Sequence, residues 1–220
     1  MFADRIDAGQ RLGATLQAFT ANECAGEEIV VLALPRGGVP VGYEVAKALN
    51  APLDVFVVRK LGAPAQPELA MGAIASGGVR VVNQDVVRIL RVTPLQMEET
   101  AEREGQELQR REHEYRGNRP PVDVAGKCVL LVDDGIATGY TMRAAVEALR
   151  QLAPKRIVVA VPVAANDTCQ VLKRHADAVV CLYTPIDFAA VGQWYRRFDQ
   201  TSDDEVRLLL ELAAERSSAH

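Results

Sequence analysis

The sequence predicts an α/β protein built on a parallel sheet with helices on both faces. Short aliphatic runs at 28–35, 53–60, 128–132, 156–162 and 178–183 alternate with segments of helical spacing. Several of these runs are continuously apolar rather than alternating in polarity, as strands buried on both faces require. The segments richest in glycine and charge, "PRGG", "RKLG" and "DDGIATG", each fall at the end of such a run. In open parallel sheets, ligands bind beyond the carboxyl ends of the strands.

The 220 residues suit one large domain spanning 1–220, and a hydrophobic content of 49% is enough to bury a sizeable core. A net charge of −4 and a pI near 5.5 argue against broad nucleic-acid binding. The N-terminus "MFADRIDAGQRLGATLQAF" carries charges throughout, which excludes a signal peptide or membrane span there. No apolar run approaches the roughly 20 residues that cross a bilayer, so a soluble, cytoplasmic protein is expected. Cys24, Cys128, Cys169 and Cys181 form no CxxC pair, and reduced, mostly buried thiols are expected rather than a disulfide or zinc site.

Residues 3–19 have helical spacing, with Ile6, Leu12, Leu16 and Phe19 sharing much of one face; that helix could also serve a homodimer. Strand 28–35 ends at "PRGG", helix 41–49 follows, and 53–60 is a second strand. Two prolines and two glycines make 61–72 a loop, and 72–83 suggests a hairpin turning at Ser76-Gly77-Gly78. Thr93-Pro94 starts a highly charged, solvated helix running to about Tyr115. Residues 116–127 connect it to strand 128–132, helix 140–151, strand 156–162, helix 166–174 and strand 178–183. A helix with an acidic first turn closes the chain at 202–215.

The stretch "VLLVDDGIATGYTM" (129–142) carries the chemistry. Backbone N–H groups in a glycine-containing turn form an anion nest, and the following helix adds the positive end of its dipole. The hydroxyls of Thr138 and Thr141 add donors, so the loop reads as a monophosphate cradle. It lacks the lysine of a Walker loop. Asp133 and Asp134 would repel that phosphate, so they must face hydrogen-bond donors or a cation. Vicinal sugar hydroxyls and Mg²⁺ both suit paired carboxylates. A ribose phosphate joins these facts. A receiver-like phospho-acceptor aspartate is a competing reading, but a receiver has no need of the phosphate loop.

This stretch resembles the phosphoribosyl-diphosphate (PRPP) signature of type I phosphoribosyltransferases, in particular a bacterial branch of that family. The resemblance extends in element order over about 28–185, with "LALPRGGVPVG" similar to the diphosphate-binding loop and 57–74 lying where the family has a flexible lid. It implies a core at about 28–183 and a small hood from the chain ends, 1–27 and 184–220. It further implies that Asp133 and Asp134 hold the ribose and, directly or through water, Mg²⁺. Gly135, Ile136, Ala137, Thr138, Gly139, Tyr140 and Thr141 would cradle the 5′-phosphate. Arg36, Gly37, Arg59 and Lys60 would meet the diphosphate, with Arg36 and Lys60 joining the two aspartates as catalytic residues. A non-proline cis peptide is expected near Arg36-Gly37, where Gly37 and Gly38 would tolerate the strain. Gly62 and Gly72 would hinge the lid.

The implied reaction moves the phosphoribosyl group from PRPP to a nucleobase-like acceptor and releases diphosphate. In hypoxanthine-guanine members an acid stands at the position of Ala137, so 6-oxopurine chemistry of that kind is disfavoured. Phe188, Trp194 and Tyr195 could stack a flat base, or could pack the hood onto the core. None of His113, His175 and His220 is given a catalytic role. A PRPP sensor that performs no transfer is the alternative on the same fold.

Overall fold

The structure, a computed structural model, describes residues 1–218, so His220 lies outside the described residues. The strands are β1 (Ile29–Ala33), β2 (Leu53–Val55), β3 (Val58–Ala63), β4 (Gln66–Ala75), β5 (Val79–Val82), β6 (Cys128–Val132), β7 (Arg156–Val163) and β8 (Ala178–Tyr183). The helices are α1 (Arg5–Glu23), α2 (Gly38–Leu49), α3 (Gln84–Ile89), α4 (Pro94–Arg116), α5 (Tyr140–Arg150), α6 (Asn166–Leu172) and α7 (Asp203–Ser218). A five-stranded sheet runs in the order β2-β1-β6-β7-β8, and every neighbouring pair is parallel. The α/β class with a parallel sheet flanked by helices is therefore the fold observed. No described helix is long and apolar enough to cross a membrane.

The two-sided burial read from the apolar runs is visible residue by residue. Val31 and Ala33 of β1, Leu130 and Val132 of β6, and Val158 and Ala160 of β7 enter a core shared with α1, α2, α4 and α7. Their alternates Val30, Leu32, Val129, Leu131, Ile157 and Val159 enter a second core with α5 and α6. Successive strand side chains point to opposite faces, so a one-residue slip would exchange the two cores. That fixes the register of β1 on β6, in which Leu32 stands opposite Leu131.

The structure corrects several expectations. Residues 61–72 are not a loop: β3 and β4 pair as an antiparallel hairpin, and β5 completes a separate three-stranded sheet. The run 53–60 divides into β2 in the main sheet and β3 in the hairpin sheet. Pro67 lies among exposed positions near the hairpin tip, and Gly72 allows close approach to Val81, whose carbonyl an added Cβ would strike. The prolines and glycines marked irregularity, but Pro67 sits at the tip beyond the reach of β5, and Gly72, paired on both sides in the central strand, lets the neighbouring backbone approach closely. Helix α2 starts at Gly38 rather than 41, and α3 follows an Asn83 cap that the sequence reading passed over. Ile6 is 52% exposed. The buried face of α1 is instead Ala8, Gly9, Leu12, Gly13, Leu16 and Thr20. Small residues bring α1 close to α2: a Cβ on Gly9 would lie 2.8 Å from the Val41 carbonyl, and one on Gly13 would lie 2.8 Å from Ala48 Cβ.

Helix α4 has the expected start, with Thr93 and Gln96 forming a capping box. Its far end is locked by a buried ion pair: Arg116 Nε donates to Asp54 Oδ1 at 2.7 Å, and the Val122 N–H donates to Asp54 Oδ2 at 3.0 Å. Removing one partner leaves a buried charge uncompensated. Asp54→Ala should therefore lower stability by about 3–5 kcal/mol, read as a fall in the denaturant midpoint at constant slope. An unchanged midpoint would show that the pair does not hold α4 to β2.

Candidate functional site

The sheet order creates a switch point. From β1 the chain moves through α2 to β2 on one side, and from β6 through α5 to β7 on the other. The carboxyl ends of β1 and β6 thus open a crevice that no crossover helix covers. "PRGG" leaves β1 there and "DDG" leaves β6, so topology brings together motifs about a hundred residues apart.

The two exits are packed backbone to backbone. The Leu34 N–H donates to the Val132 carbonyl at 2.9 Å, extending the β1–β6 ladder by a step. A Cβ on Gly37 would collide with the Asp134 carboxylate, and one on Gly38 would fall 2.9 Å from the Asp133 Cα. These glycines are explained by close approach rather than by strain, since Gly37 has an ordinary helical φ of −60°. The non-proline cis bond is Pro35-Arg36, one residue before the expected position.

Asp133 and Asp134 are half-buried side by side, and Asp133 Oδ1 accepts the Asp134 N–H at 2.8 Å. Burial, then the negative charge of Asp134, pushes the Asp133 carboxyl well above the ordinary range. Burial also raises Asp134, against the pull of the Arg5 guanidinium beside it. Desolvation thus outweighs the help of Arg5 at both carboxyls, and positive charge brought beside them would stabilise their ionised forms.

Beyond the aspartates, Ile136 makes a single bridge to Ala164, and the Thr168 hydroxyl donates to the Ala137 carbonyl at 2.6 Å. Gly139 adopts a positive φ of 74° to enter α5, and no side chain caps that helix. The first N–H groups of α5 thus lack an intrahelical acceptor. Ala137, Thr138, Tyr140 and Thr141 are exposed around them. A groove of about 630 Å³ opens between the hairpin and α5, with Lys60, Tyr140, Thr141 and Arg143 in its lining. Lys60 is therefore brought to the same groove as Tyr140 and Thr141, where its Nζ donates to the Glu68 carbonyl at 3.3 Å.

The remaining cations are held by acids. Arg36 lies 3.8 Å from Asp203 at the start of α7. Asp203 also accepts the Tyr115 hydroxyl, whose pKa is raised to about 12 by burial and then by that carboxylate. Arg59 donates through Nε and NH2 to Glu104 Oε2 of α4, at 3.0 and 2.6 Å. Phe188, Trp194 and Tyr195 gather with Phe2 and Val163 in a third apolar cluster. Tyr195 is only 5% exposed, is in ring contact with Phe2 and Phe198, and donates its hydroxyl to the Asp134 carbonyl. The Trp194 indole N–H is buried without a partner among the described residues. Sequence reasoning missed Arg5, which donates to Asp134 Oδ2 at 2.8 Å; a lone arginine opening a helix carries no motif.

Elsewhere Cys24, Glu27 and Cys128 meet within 4.8 Å, the only such group among the described residues. Glu27 is already paired with Lys155 and Arg156, so this group offers a metal little free charge.

Fold and site together define a phosphoribosyltransferase architecture, and the chain belongs to the phosphoribosyl transferase domain family, which it matches over residues 3–196. It is 49% identical over 213 residues to "Putative phosphoribosyl transferase Rv0571c" of Mycobacterium tuberculosis, covering 97% of this chain and 47% of that protein. The chain thus spans about half the length of these curated relatives. It is 31% identical over 130 residues to "Bifunctional protein PyrR" of Chloroflexus aurantiacus, covering 57% of this chain and 65% of that protein. Among solved structures, TT1426 from Thermus thermophilus is 43% identical with a TM-score of 0.83, covering 96% of this chain and 97% of that one.

Two outcomes test the packing and the charge. Gly37→Ala should cost about 1–3 kcal/mol, because the added methyl must displace the Asp134 carboxylate or the β1 exit; a variant melting with wild type would refute the contact. Asp133→Asn tests the raised carboxyl. Wild type holds its full stability below the ordinary carboxyl value near 4 and loses it as pH rises through the raised folded value. In metal-free protein, the Asn variant should gain on wild type in Tm from pH 4 to pH 8. A pH-independent difference would contradict the raised value.

Proposed function

We propose that the chain transfers the 5-phosphoribosyl group from PRPP to a nucleobase-like acceptor, with Mg²⁺, and releases diphosphate. The observation that carries this reading is the contact of Gly37 and Gly38 with Asp133 and Asp134 beside an uncapped helix start. One crevice then offers a 5′-phosphate cradle at 135–141, ribose-binding carboxylates, and a diphosphate loop led by Arg36. An oxygen-only pair of carboxylates that burial and repulsion leave short of positive charge fits Mg²⁺, which when bound supplies charge to the diphosphate oxygens.

Asp133 and Asp134 accept hydrogen bonds from the ribose hydroxyls and face the positive charge that develops on the sugar as the anomeric bond breaks. Arg36 can leave its 3.8 Å pairing with Asp203 at little cost and turn to the leaving diphosphate, where a planar guanidinium binds two oxygens. Lys60 reaches the same ligand from the hairpin, which acts as a hinged ribbon covering PRPP and excluding water. Arg59 joins only if it exchanges Glu104 for phosphate. The acceptor lies toward Phe188 and Trp194; Tyr195 serves as packing because its ring is buried. The site is read as one within a cytoplasmic protein, its chain ends forming a hood over the core.

A second reading, PRPP sensing without transfer, uses the same crevice, and the partial likeness to the bifunctional PyrR proteins favours keeping it in view. The two separate on turnover. A screen of nucleobases with PRPP and Mg²⁺, read as diphosphate release, should find an acceptor. Arg36→Ala should then lose turnover by about a hundredfold or more while PRPP affinity falls much less. Tight PRPP binding with no release for any base would move the assignment to sensing. Full turnover in Arg36→Ala would remove "PRGG" from the diphosphate site.

A further inference from the structure

Arg5 opens α1, far in sequence from both site loops, yet it bonds one of them and stands close to the other. Its Nε donates to Asp134 Oδ2 at 2.8 Å, and its NH1 donates to the Asp199 carbonyl at 2.6 Å. Its guanidinium carbon stands 4.0 Å from the centre of the Phe198 ring. Its Nε would also lie 3.3 Å from a Cβ on Gly37, so the side chain sits where "PRGG" and "DDG" touch. The side chain is only 13% exposed. Burying an arginine is costly unless its donors are used, and such a pair is weak evidence for a stabilising role. The chain end has other anchors: Phe2 N–H donates to the Trp194 carbonyl at 2.7 Å, and the Arg196 and Arg197 N–H groups donate to the Phe2 and Ala3 carbonyls at 2.9 and 3.0 Å.

We infer that Arg5 is a positioning residue for the phosphoribosyl site: it fixes the Asp134 carboxylate against the diphosphate loop and ties both to the 194–199 segment. The inference rests on the PRPP reading above. Asp134 Oδ2 is held on one side by the guanidinium and crowded on another by the Gly37 backbone, so the carboxylate has one orientation to offer a ribose. The same guanidinium reaches Asp199 while its face lies on Phe198, and the Tyr195 hydroxyl holds the Asp134 carbonyl from that segment. A change at the ribose carboxylates is thereby carried to the region where an acceptor would enter. Only a planar, forked cation spans these partners; a lysine offers one ammonium to Asp134 and no flat face to Phe198.

Calorimetry of PRPP with Mg²⁺ tests this on wild type, Arg5→Ala and Arg5→Lys, with thermal melts confirming folding. Arg5→Ala should bind PRPP about 10- to 100-fold more weakly, by analogy with the loss when a partner that orients a metal-ligating side chain is removed. Millimolar methylguanidinium should restore much of that affinity, and sodium chloride at equal ionic strength should not. Arg5→Lys should fold and still bind several-fold more weakly than wild type. The chain's single tryptophan, Trp194, should change its fluorescence on PRPP addition in wild type and less so in either variant. Wild-type affinity in Arg5→Lys or Arg5→Ala, or a loss that methylguanidinium leaves untouched, overturns the role of Arg5 alone. Failure of wild type itself to bind PRPP overturns the functional reading, and this inference with it.

Discussion

The site depends on one contact: the backbone of Gly37 and Gly38 lying directly on Asp133 and Asp134 at the ends of β1 and β6. No side chain fits between them. The two strands must therefore be adjacent, parallel and in one register, and the Leu34-to-Val132 hydrogen bond continues their ladder to that point. The register is in turn fixed by burial on both faces, since each strand feeds alternate residues into two cores. Packing far from the crevice thus decides the separation of the "PRGG" loop and the Asp133-Asp134 pair.

Charge is arranged around the same contact. The two aspartates are crowded and desolvated, and Arg5 offsets part of that cost. Two further arginines are parked on acids of helices that pack nearby, Arg36 on Asp203 of α7 and Arg59 on Glu104 of α4. The looser of these pairs, at 3.8 Å and partly exposed, belongs to Arg36, the cation proposed to meet the leaving group. A weak pair keeps a cation solvated and in place without binding it so firmly that a phosphate could not compete. The closer Arg59–Glu104 pair makes Arg59 the more structural of the two.

Much of this was legible in the sequence, for physical reasons that particular residues show. "CVLLV" had to be an interior strand because no face of it could meet water, and "DDG" had to lie at its carboxyl end. The β4–β5 hairpin was legible from its Ser76-Gly77-Gly78 turn, but the β3–β4 hairpin was not, because Gly62, Pro67 and Gly72 break local strand propensity and only pairing across the ribbon overrides it. The face of α1 was legible at Leu12, Leu16 and Phe19 but not at its closest packing, which uses Gly9 and Gly13 and carries no hydrophobic signal, while Ile6 faces solvent. Arg5 was invisible for another reason: its role is set by what lies across the fold at Asp134 and Phe198, and residues so distant in the chain leave no local pattern.

The central claim is spatial: one PRPP molecule lies in the β1/β6 crevice, its 5′-phosphate on 135–141 and its ribose on Asp133 and Asp134. The most direct measurement is a crystal structure of the chain with PRPP and Mg²⁺. Phosphate density is expected at the start of α5, ribose hydroxyls within hydrogen-bonding distance of both aspartates, and diphosphate against Arg36 and Gly37. Density for PRPP elsewhere, or in that crevice with its ribose turned away from Asp133 and Asp134, would contradict it.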